Sequence, residues 1–526
     1  MTLESILINR TLMVFIIPFL LGLLSALSFQ PYNFTFINFI IIPALFLILS
    51  YVNKKLKNKY RNKSYLKNFF FIGYLFGFGY FLSGIYWISF SLTFDENLKY
   101  LIPFATVCIP LFLALFFGLG TLIVGPNIYN NFSSILIFCS SFSFIDYIRS
   151  KILTGFPWNI WSYSWSWFPE ILQILNPIGL FAFNLLTLTF FCLPLMLIFK
   201  KNKYNLNIFF IIVIIFTSNY IYGSYKINQN KKYHNNLKIN QEKFVNIKIV
   251  SPNFDLKYNQ SLEEIKILIN KLIKYSAPEK DRKTIFIWPE GVFAGYEISE
   301  INFFKDMFKN NFSKNHIIIF GINTKKNETS QLYNSMVVIN NNFDVIYQYN
   351  KKKLVPFGEF LPFEKYLNSL NLKKITHGYG SFAKGEIQKN LIINKFSILP
   401  LICYEVIFPE LTQKSPTNTN LIVNISEDGW FGGSVGPEQH FVKSIYRAIE
   451  NNSYLARSAN KGISAFIDNN GKVIKKLEPT ETGSIELNIP FIDNKFKNKN
   501  DLIFFTLLFT YMIIFFTIKK NRNEKK

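Results

Sequence analysis

The sequence predicts a polytopic α-helical membrane protein of about eight transmembrane helices, with one large α/β domain inserted before the last of them. Half of the 526 residues are hydrophobic and mean hydropathy is positive, so part of the chain belongs in lipid. Seven apolar runs precede residue 224 and an eighth follows residue 500. Between them, from about Phe244 to Pro490, the pattern changes to short β-rich runs alternating with turns and amphipathic stretches.

The apolar runs cover residues 11–28, 36–52, 69–90, 101–124, 132–148, 171–199, 206–223 and 502–518, each near the ~20 residues a bilayer requires. The first follows Arg10 and is too long for a signal-peptide core. Lysine and arginine in the short loops set orientation. The loop after the second run carries Lys54, Lys55, Lys57, Lys59, Arg61, Lys63 and Lys67. The loop after the sixth carries Lys200, Lys201 and Lys203, and the tail carries Lys519, Lys520, Arg522, Lys525 and Lys526. Ser28 to Thr35 has no basic residue and the next alternate loop has only Lys99; Arg149 and Lys151 are a mild exception. Both termini are therefore expected in the cytoplasm. The expected domains are 1–223 in the membrane, 224–500 on its far side, and 501–526 as the last span with a basic tail.

Two features of the membrane part stand out. Gly73 and Gly77 form a Gly-x-x-x-Gly pair of the kind that lets helices pack closely. Thr154-Gly155-Phe156-Pro157-Trp158, with Trp161, Trp165 and Trp167, reads as an interfacial aromatic belt or as a lipid-facing platform. The net charge of +24 raises the question of nucleic acid, but the positive charges lie largely between apolar runs and no aromatic-basic module stands out, so no nucleic-acid partner is expected.

In the polar domain, strands are expected at Val245–Val250, Thr284–Trp288, His316–Gly321, Ser335–Asn340, Val345–Tyr349, Leu391–Cys403, Leu421–Ser426 and Ser464–Asp468, with helices at Ser261–Tyr275 and Pro437–Ala459. Cys108, Cys139 and Cys192 fall in the apolar runs, which leaves Cys403 with no partner here. There is no disulfide framework and no paired-cysteine metal spacing, so neither metal nor cofactor is expected. A solitary thiol in such a domain is buried filler or a reactive group.

Three strand ends carry polar residues that packing does not need. Ile287-Trp288-Pro289-Glu290 stops a buried strand at proline and follows it with a carboxylate. Lys351-Lys352-Lys353 runs straight into the apolar turn Leu354-Val355-Pro356-Phe357-Gly358-Glu359. Ile402-Cys403-Tyr404-Glu405 ends a strand in a thiol. Taken singly, these are a turn acid, a solvated lysine face and a core cysteine. Together they make a chemical set. A thiolate is the nucleophile, a glutamate can take and return its proton, and an ammonium can favour the thiolate and then hold an oxyanion. A cysteine–histidine site is poorly supplied, since His234, His316, His377 and His440 are the only histidines.

This trio resembles the nitrilase superfamily of carbon–nitrogen hydrolases. With eight spans and Thr-Gly-Phe-Pro-Trp158, the whole chain is similar to the apolipoprotein N-acyltransferase family. Asp428-Gly429-Trp430-Phe431-Gly432, Gly436-Pro437-Glu438-Gln439-His440 and Arg457-Ser458-Ala459-Asn460-Lys461-Gly462 agree with it. Glu427 departs from it, because asparagine is commoner there. The resemblance implies an α-β-β-α sandwich with Glu290 as general base and acid, Lys351 as oxyanion stabiliser and Cys403 as nucleophile. It implies Glu359 and Glu405 as supporting carboxylates, Tyr404 and Trp430 as pocket residues, and Trp158 in a membrane-proximal substrate loop. It further implies a monomer in the bacterial inner membrane with the catalytic domain facing the periplasm. A phospholipid would be the acyl donor and the N-terminus of a diacylglyceryl apolipoprotein the acceptor. A membrane-anchored amidase with water as acceptor and a transporter with an external sensor domain are the competing classes. Few ionisable residues in the apolar runs, Asp146 being the clearest, argue against the transporter.

Overall fold

A computed structural model describes residues 10–57, 65–199, 203–237, 244–258, 260–325, 331–362, 364, 381–386, 389–413, 418–492 and 500–524. Lys59, Arg61, Lys63, Lys200, Lys201, His377, Lys525 and Lys526 lie outside them. The chain forms two compact units. One comprises Met1–Ser89, Lys99–Tyr225 and Lys499–Lys526, and the other Phe90–Leu98 and Lys226–Asn498.

The first unit is helical. Among the described residues, seven helices are long and apolar enough to cross a membrane: Thr35–Lys55, Leu66–Phe94, Glu96–Asn127, Phe132–Arg149, Leu175–Ile198, Lys203–Lys232 and Asp501–Lys520. Leu12–Ser28 is a shorter apolar helix. The expected count of about eight is thus met by seven long helices and one short one. With no water in hydrocarbon, helices satisfy their own backbone groups, and contact between them must come from close packing. Gly73 supplies such a contact: a Cβ there would lie 2.0 Å from Thr121 Oγ1, and one at Gly77 3.0 Å from Phe117.

The tryptophan-rich stretch is not a belt. Trp158, Trp161 and Trp165 are among the largest fully buried side chains, and only Trp167 is exposed. The reason is a polar staple beneath them. Arg149 donates to the carbonyls of Phe156 (2.5 Å) and Trp158 (2.9 Å) and pairs with Asp146 at 2.8 Å. Asn184 donates to the other Asp146 oxygen at 3.0 Å and accepts from the Ser162 backbone N–H at 3.1 Å. Non-helical backbone at this depth needs such internal partners, and the staple turns the loop inward.

The second unit is built on two six-stranded sheets. β1 (Phe244–Ser251), β2 (Thr284–Ile287), β3 (His316–Lys325), β4 (Leu332–Ile339) and β5 (Val345–Asn350) form one with β12 (Gly483–Pro490), in the order β12-β1-β2-β3-β4-β5. β6 (Leu391–Ile393), β7 (Phe396–Ile402), β8 (Leu421–Glu427), β9 (Tyr454–Asn460), β10 (Ser464–Ile467) and β11 (Val473–Leu477) form the other, in the order β11-β10-β9-β8-β7-β6. In each, the central pairs β1–β2–β3 and β7–β8–β9 are parallel and the outer pairs antiparallel.

Alternation along the strands explains the layers. Ile247, Ile249, Ile285, Ile287 and Ile319 of the first sheet meet Ile398, Ile402, Leu421, Val423 and Ile425 of the second in one core. Val250, Phe286, Ile318 and Phe320 point the other way, onto Ile265, Leu268, Ile269 and Leu272 of the Leu262–Ser276 helix. That helix starts on a capping box in which Ser261 and Glu264 exchange hydrogen bonds. The Gly436–Glu450 helix contacts β9 and β10 of the second sheet, giving the four-layer α-β-β-α sandwich. Two expectations are corrected here. Pro437–Ala459 is not one helix: it ends at Glu450, and Tyr454–Asn460 is strand β9, paired in parallel with β8. Leu391–Cys403 is a hairpin, turning at Asn394 and Lys395, both in left-handed backbone conformation.

Candidate active site

The strands deliver their polar ends to one place. Glu290 follows β2 by three residues, Lys351 follows β5 directly, and Cys403 follows β7 directly. Lys351 is 1% exposed, with Nζ 3.2 Å from Glu290 Oε1 and 2.9 Å from Glu359 Oε1. Burial alone would lower its pKa. The Glu290 and Glu359 carboxylates, with Cys403, outweigh burial and hold the amine charged well above its ordinary range.

Cys403 is the first residue of a 3₁₀ turn, Cys403–Ile407, and sits at φ 49°. A non-glycine residue in that left-handed region costs about 1–2 kcal/mol and persists only where its surroundings enforce it. Glu405 supplies the enforcement. One oxygen accepts from the Ile402 backbone N–H at 2.9 Å. The other accepts from the backbone N–H groups of Lys352 (2.7 Å) and Lys353 (3.1 Å) and from the Tyr349 hydroxyl (2.8 Å). The Glu405 hydrogen bonds thus tie the turn that carries Cys403 to the backbone after Lys351. Asn424 reinforces the turn by donating to the Leu401 and Cys403 carbonyls at 3.3 and 3.4 Å.

The thiol is held protonated at rest. Burial raises its pKa, the Glu290 carboxylate raises it further, and Lys351 only partly offsets them. Chemically, the arrangement sets a carboxylate able to accept the thiol proton, Glu290, and a cation able to steady a thiolate, Lys351, around Cys403.

Tyr404, Trp430 and Trp158 differ in their surroundings. Tyr404 is half-buried and packs edge-on against Phe408, with centroids 5.0 Å apart. Trp430 is half-buried on the turn after β8, 4.7 Å from the ring of Phe94, which belongs to the short Phe90–Leu98 segment of the same unit. Trp158 lies in the helical unit, 1% exposed, stacked on Phe156 and against Trp87.

Sequence reasoning missed Asn334. Its Nδ2 donates to Glu290 Oε1 (2.8 Å) and Glu359 Oε1 (2.6 Å), and its backbone carbonyl accepts from the Lys351 N–H (2.9 Å). It thereby holds both carboxylates towards the ammonium. A polar residue at the start of β4, just outside the strand expected from the sequence, was the available signal. A second cluster lies behind β8. Arg457 grips both Asp428 oxygens at 3.0 and 2.8 Å, and Asp428 sits 3.0 Å from His440 Nδ1.

That cluster has a pH consequence. Burial first, then Arg457, pushes His440 down to about 4 despite Asp428. Its unfolded value is near ~6.5, so the unfolded chain binds a proton that the folded one refuses between those limits. Stability is full above pH ~6.5 and falls by up to about 3 kcal/mol on acidification towards 4. Unfolding curves of wild type and His440→Gln across pH 4–7 should show this slope flattened in the variant; equal slopes would refute the assignment.

Known proteins resemble this chain along its length. The apolipoprotein N-acyltransferase N-terminal domain family matches residues 21–193, and the carbon-nitrogen hydrolase family matches residues 256–493. An apolipoprotein N-acyltransferase of Rickettsia typhi is 33% identical over 517 residues, covering 95% of this chain and 98% of the relative. One from Allorhizobium ampelinum is 28% identical over 429 residues, covering 80% and 79% respectively. With identity sustained through both the helical unit and the sandwich that carries Glu290, Lys351 and Cys403, the chain belongs to the apolipoprotein N-acyltransferase family.

Proposed function

We propose that this protein transfers an acyl chain from a phospholipid to the α-amine of a diacylglyceryl cysteine at an apolipoprotein N-terminus, the last step of bacterial lipoprotein maturation. The observation that carries the mechanism is the buried Lys351 ammonium bridging Glu290 and Glu359. Glu290 takes the Cys403 proton, and the thiolate attacks the ester carbonyl carbon. The tetrahedral oxyanion forms beside Lys351, whose preorganised charge stabilises it. Collapse breaks the ester C–O bond, Glu290 protonates the departing lysophospholipid, and a thioester remains on Cys403. The α-amine of the acceptor then attacks the thioester. Glu290 collects the amine proton as the C–N bond forms and the C–S bond breaks, and returns it to the Cys403 sulfur. Free α-amines titrate near ~7.7–8, so an appreciable neutral fraction is available. The ester already carries the activated acyl group, so these residues need no further cofactor for these steps.

Glu359 and Asn334 are positioning residues for Lys351 and Glu290, Glu405 for Cys403, and Tyr404 and Trp430 shape the pocket. Trp158 enters through packing of its loop. Purified protein given phospholipid and a diacylated lipopeptide should yield the N-acylated lipopeptide, and acetylating the lipopeptide α-amine should abolish the product. Rapid release of fatty acid with no lipopeptide present would instead identify a lipid hydrolase.

We further propose that the protein works as a monomer in the inner membrane, with residues 224–500 facing the periplasm and both termini in the cytoplasm, on the strength of the lysine-rich loops. Reporters fused at Asn230 and at the C-terminus should report opposite compartments. The same compartment for both would sink this topology.

A further inference from the structure

A carboxyl group that the reaction does not use lies against the one that it does. Glu427 closes β8, is 2% exposed, and donates its backbone N–H to Glu290 Oε2 at 3.1 Å. Among the described residues its own side chain meets neutral donors: Oε1 accepts from the Gly429 N–H at 2.9 Å, and Oε2 accepts from Asn460 Nδ2 at 2.8 Å. Asn460 is itself fixed by the Phe254 backbone, accepting from its N–H and donating to its carbonyl. A Cβ built on Gly291 would lie 3.2 Å from Glu427 Oε2, so the carboxyl abuts the turn that carries Glu290.

The charged groups around it are already engaged. Lys351 spans Glu290 and Glu359, Arg457 grips Asp428, and Lys461, whose stem passes near Gly429, pairs with Asp255. Among the described residues, the other titratable groups that act on Glu427 are acidic or phenolic: Glu290, Asp428 and Tyr258. Burial raises the Glu427 pKa well above the ordinary carboxyl range. Glu290 and Asp428 add to that, against the two hydrogen bonds.

We propose that Glu427 is a positioning residue carried as an uncharged carboxylic acid, fixing the turn at the end of β8 whose backbone N–H holds Glu290, without adding a negative charge to the site. The charge count gives the reason. Glu290 and Glu359 already set two carboxylates against one ammonium, and Glu290 must accept a proton from a thiol that negative charge makes harder to ionise. A third carboxylate would hold the thiol proton more tightly and draw Lys351 away from the oxyanion. A neutral acid can still accept from one of Gly429 and Asn460 at its carbonyl oxygen and from the other at a lone pair of its hydroxyl oxygen, and it avoids that penalty.

The inference rests on the acyl-transfer reading for its kinetic arm, but its spectroscopic arm does not. An infrared difference spectrum of the resting full-length protein, wild type minus Glu427→Gln at neutral pH, should contain the C=O stretch of a protonated carboxylic acid. Glu427→Gln, which keeps an acceptor oxygen and stays neutral, should form the Cys403 thioester within about 3-fold of wild type and keep forming it to higher pH. Glu427→Ala, with no acceptor for Gly429 or Asn460, should be slower by about 10-fold or more at every pH. A carboxylate band lost in the difference spectrum, or Glu427→Gln as slow as Glu427→Ala, would overturn the proposal. Should the glutamine variant misfold, the difference between wild type and Glu427→Asn reads the same acid band. Failure of wild type to form any thioester would count against the acyl-transfer reading and leave the infrared result standing.

Discussion

Glu405→Ala is expected to slow Cys403 thioester formation by about 100-fold or more and to lower stability by about 3 kcal/mol. Glu405 is fully buried, and its two oxygens accept four hydrogen bonds, three from backbone N–H groups and one from Tyr349. Alanine would strand those donors in a dry interior, where each unsatisfied group costs about 1–3 kcal/mol before relaxation. It would also release the φ 49° conformation of Cys403, letting the turn relax and the thiol swing away from Glu290 and Lys351. Glu405→Gln should fall between, because its amide turns a donor towards backbone donors. Denaturant unfolding together with mass spectrometry of the Cys403 peptide reads both effects. Full activity in Glu405→Ala would show that the strand alone sets the nucleophile.

Lys351→Ala should abolish thioester formation within detection, a loss of about 1,000-fold or more, while Lys352→Ala and Lys353→Ala keep most of it. The three lysines are adjacent in sequence but not in environment. Lys351 is buried between two carboxylates, whereas Lys352 and Lys353 are only half-buried and serve the site through their backbone N–H groups, which alanine retains. Lys353 reaches outward to Glu410 at 3.4 Å and lies over the Phe408 ring. Without the ammonium, Glu290 and Glu359 would share Asn334 with no cation between them. Equal loss in all three variants would show that the run acts as a diffuse basic face.

Much of this was legible in the sequence because it is local. Runs of about twenty apolar residues are a property of the chain itself, and seven of the eight correspond to long helices. The trio was legible because strand ends are: Trp288-Pro289-Glu290, the lysine run and Cys403-Tyr404-Glu405 each break an apolar pattern abruptly. What failed was non-local. Nothing in Trp158, Trp161 and Trp165 says that Arg149, Asp146 and Asn184 will pull their loop into the core, so a surface belt was the natural expectation. The boundary at Asn451–Ser453 was lost because Ser-Tyr-Leu-Ala-Arg continues a helix-compatible pattern, and pairing with β8 and β10 makes it a strand. Asn334 offered only a polar residue beside an expected strand, since its meaning lies in two carboxylates 44 and 25 residues away.

The central claim is that Cys403 carries the acyl chain between two lipids. Its most direct test is mass spectrometry of the Cys403 peptide after incubating purified wild-type protein with phospholipid alone. The expected result is a single acyl group on Cys403, absent from Cys403→Ala, stable until a diacylated lipopeptide with a free α-amine discharges it. Phospholipid turnover with no adduct on Cys403, or an undiminished adduct in Cys403→Ala, would contradict it.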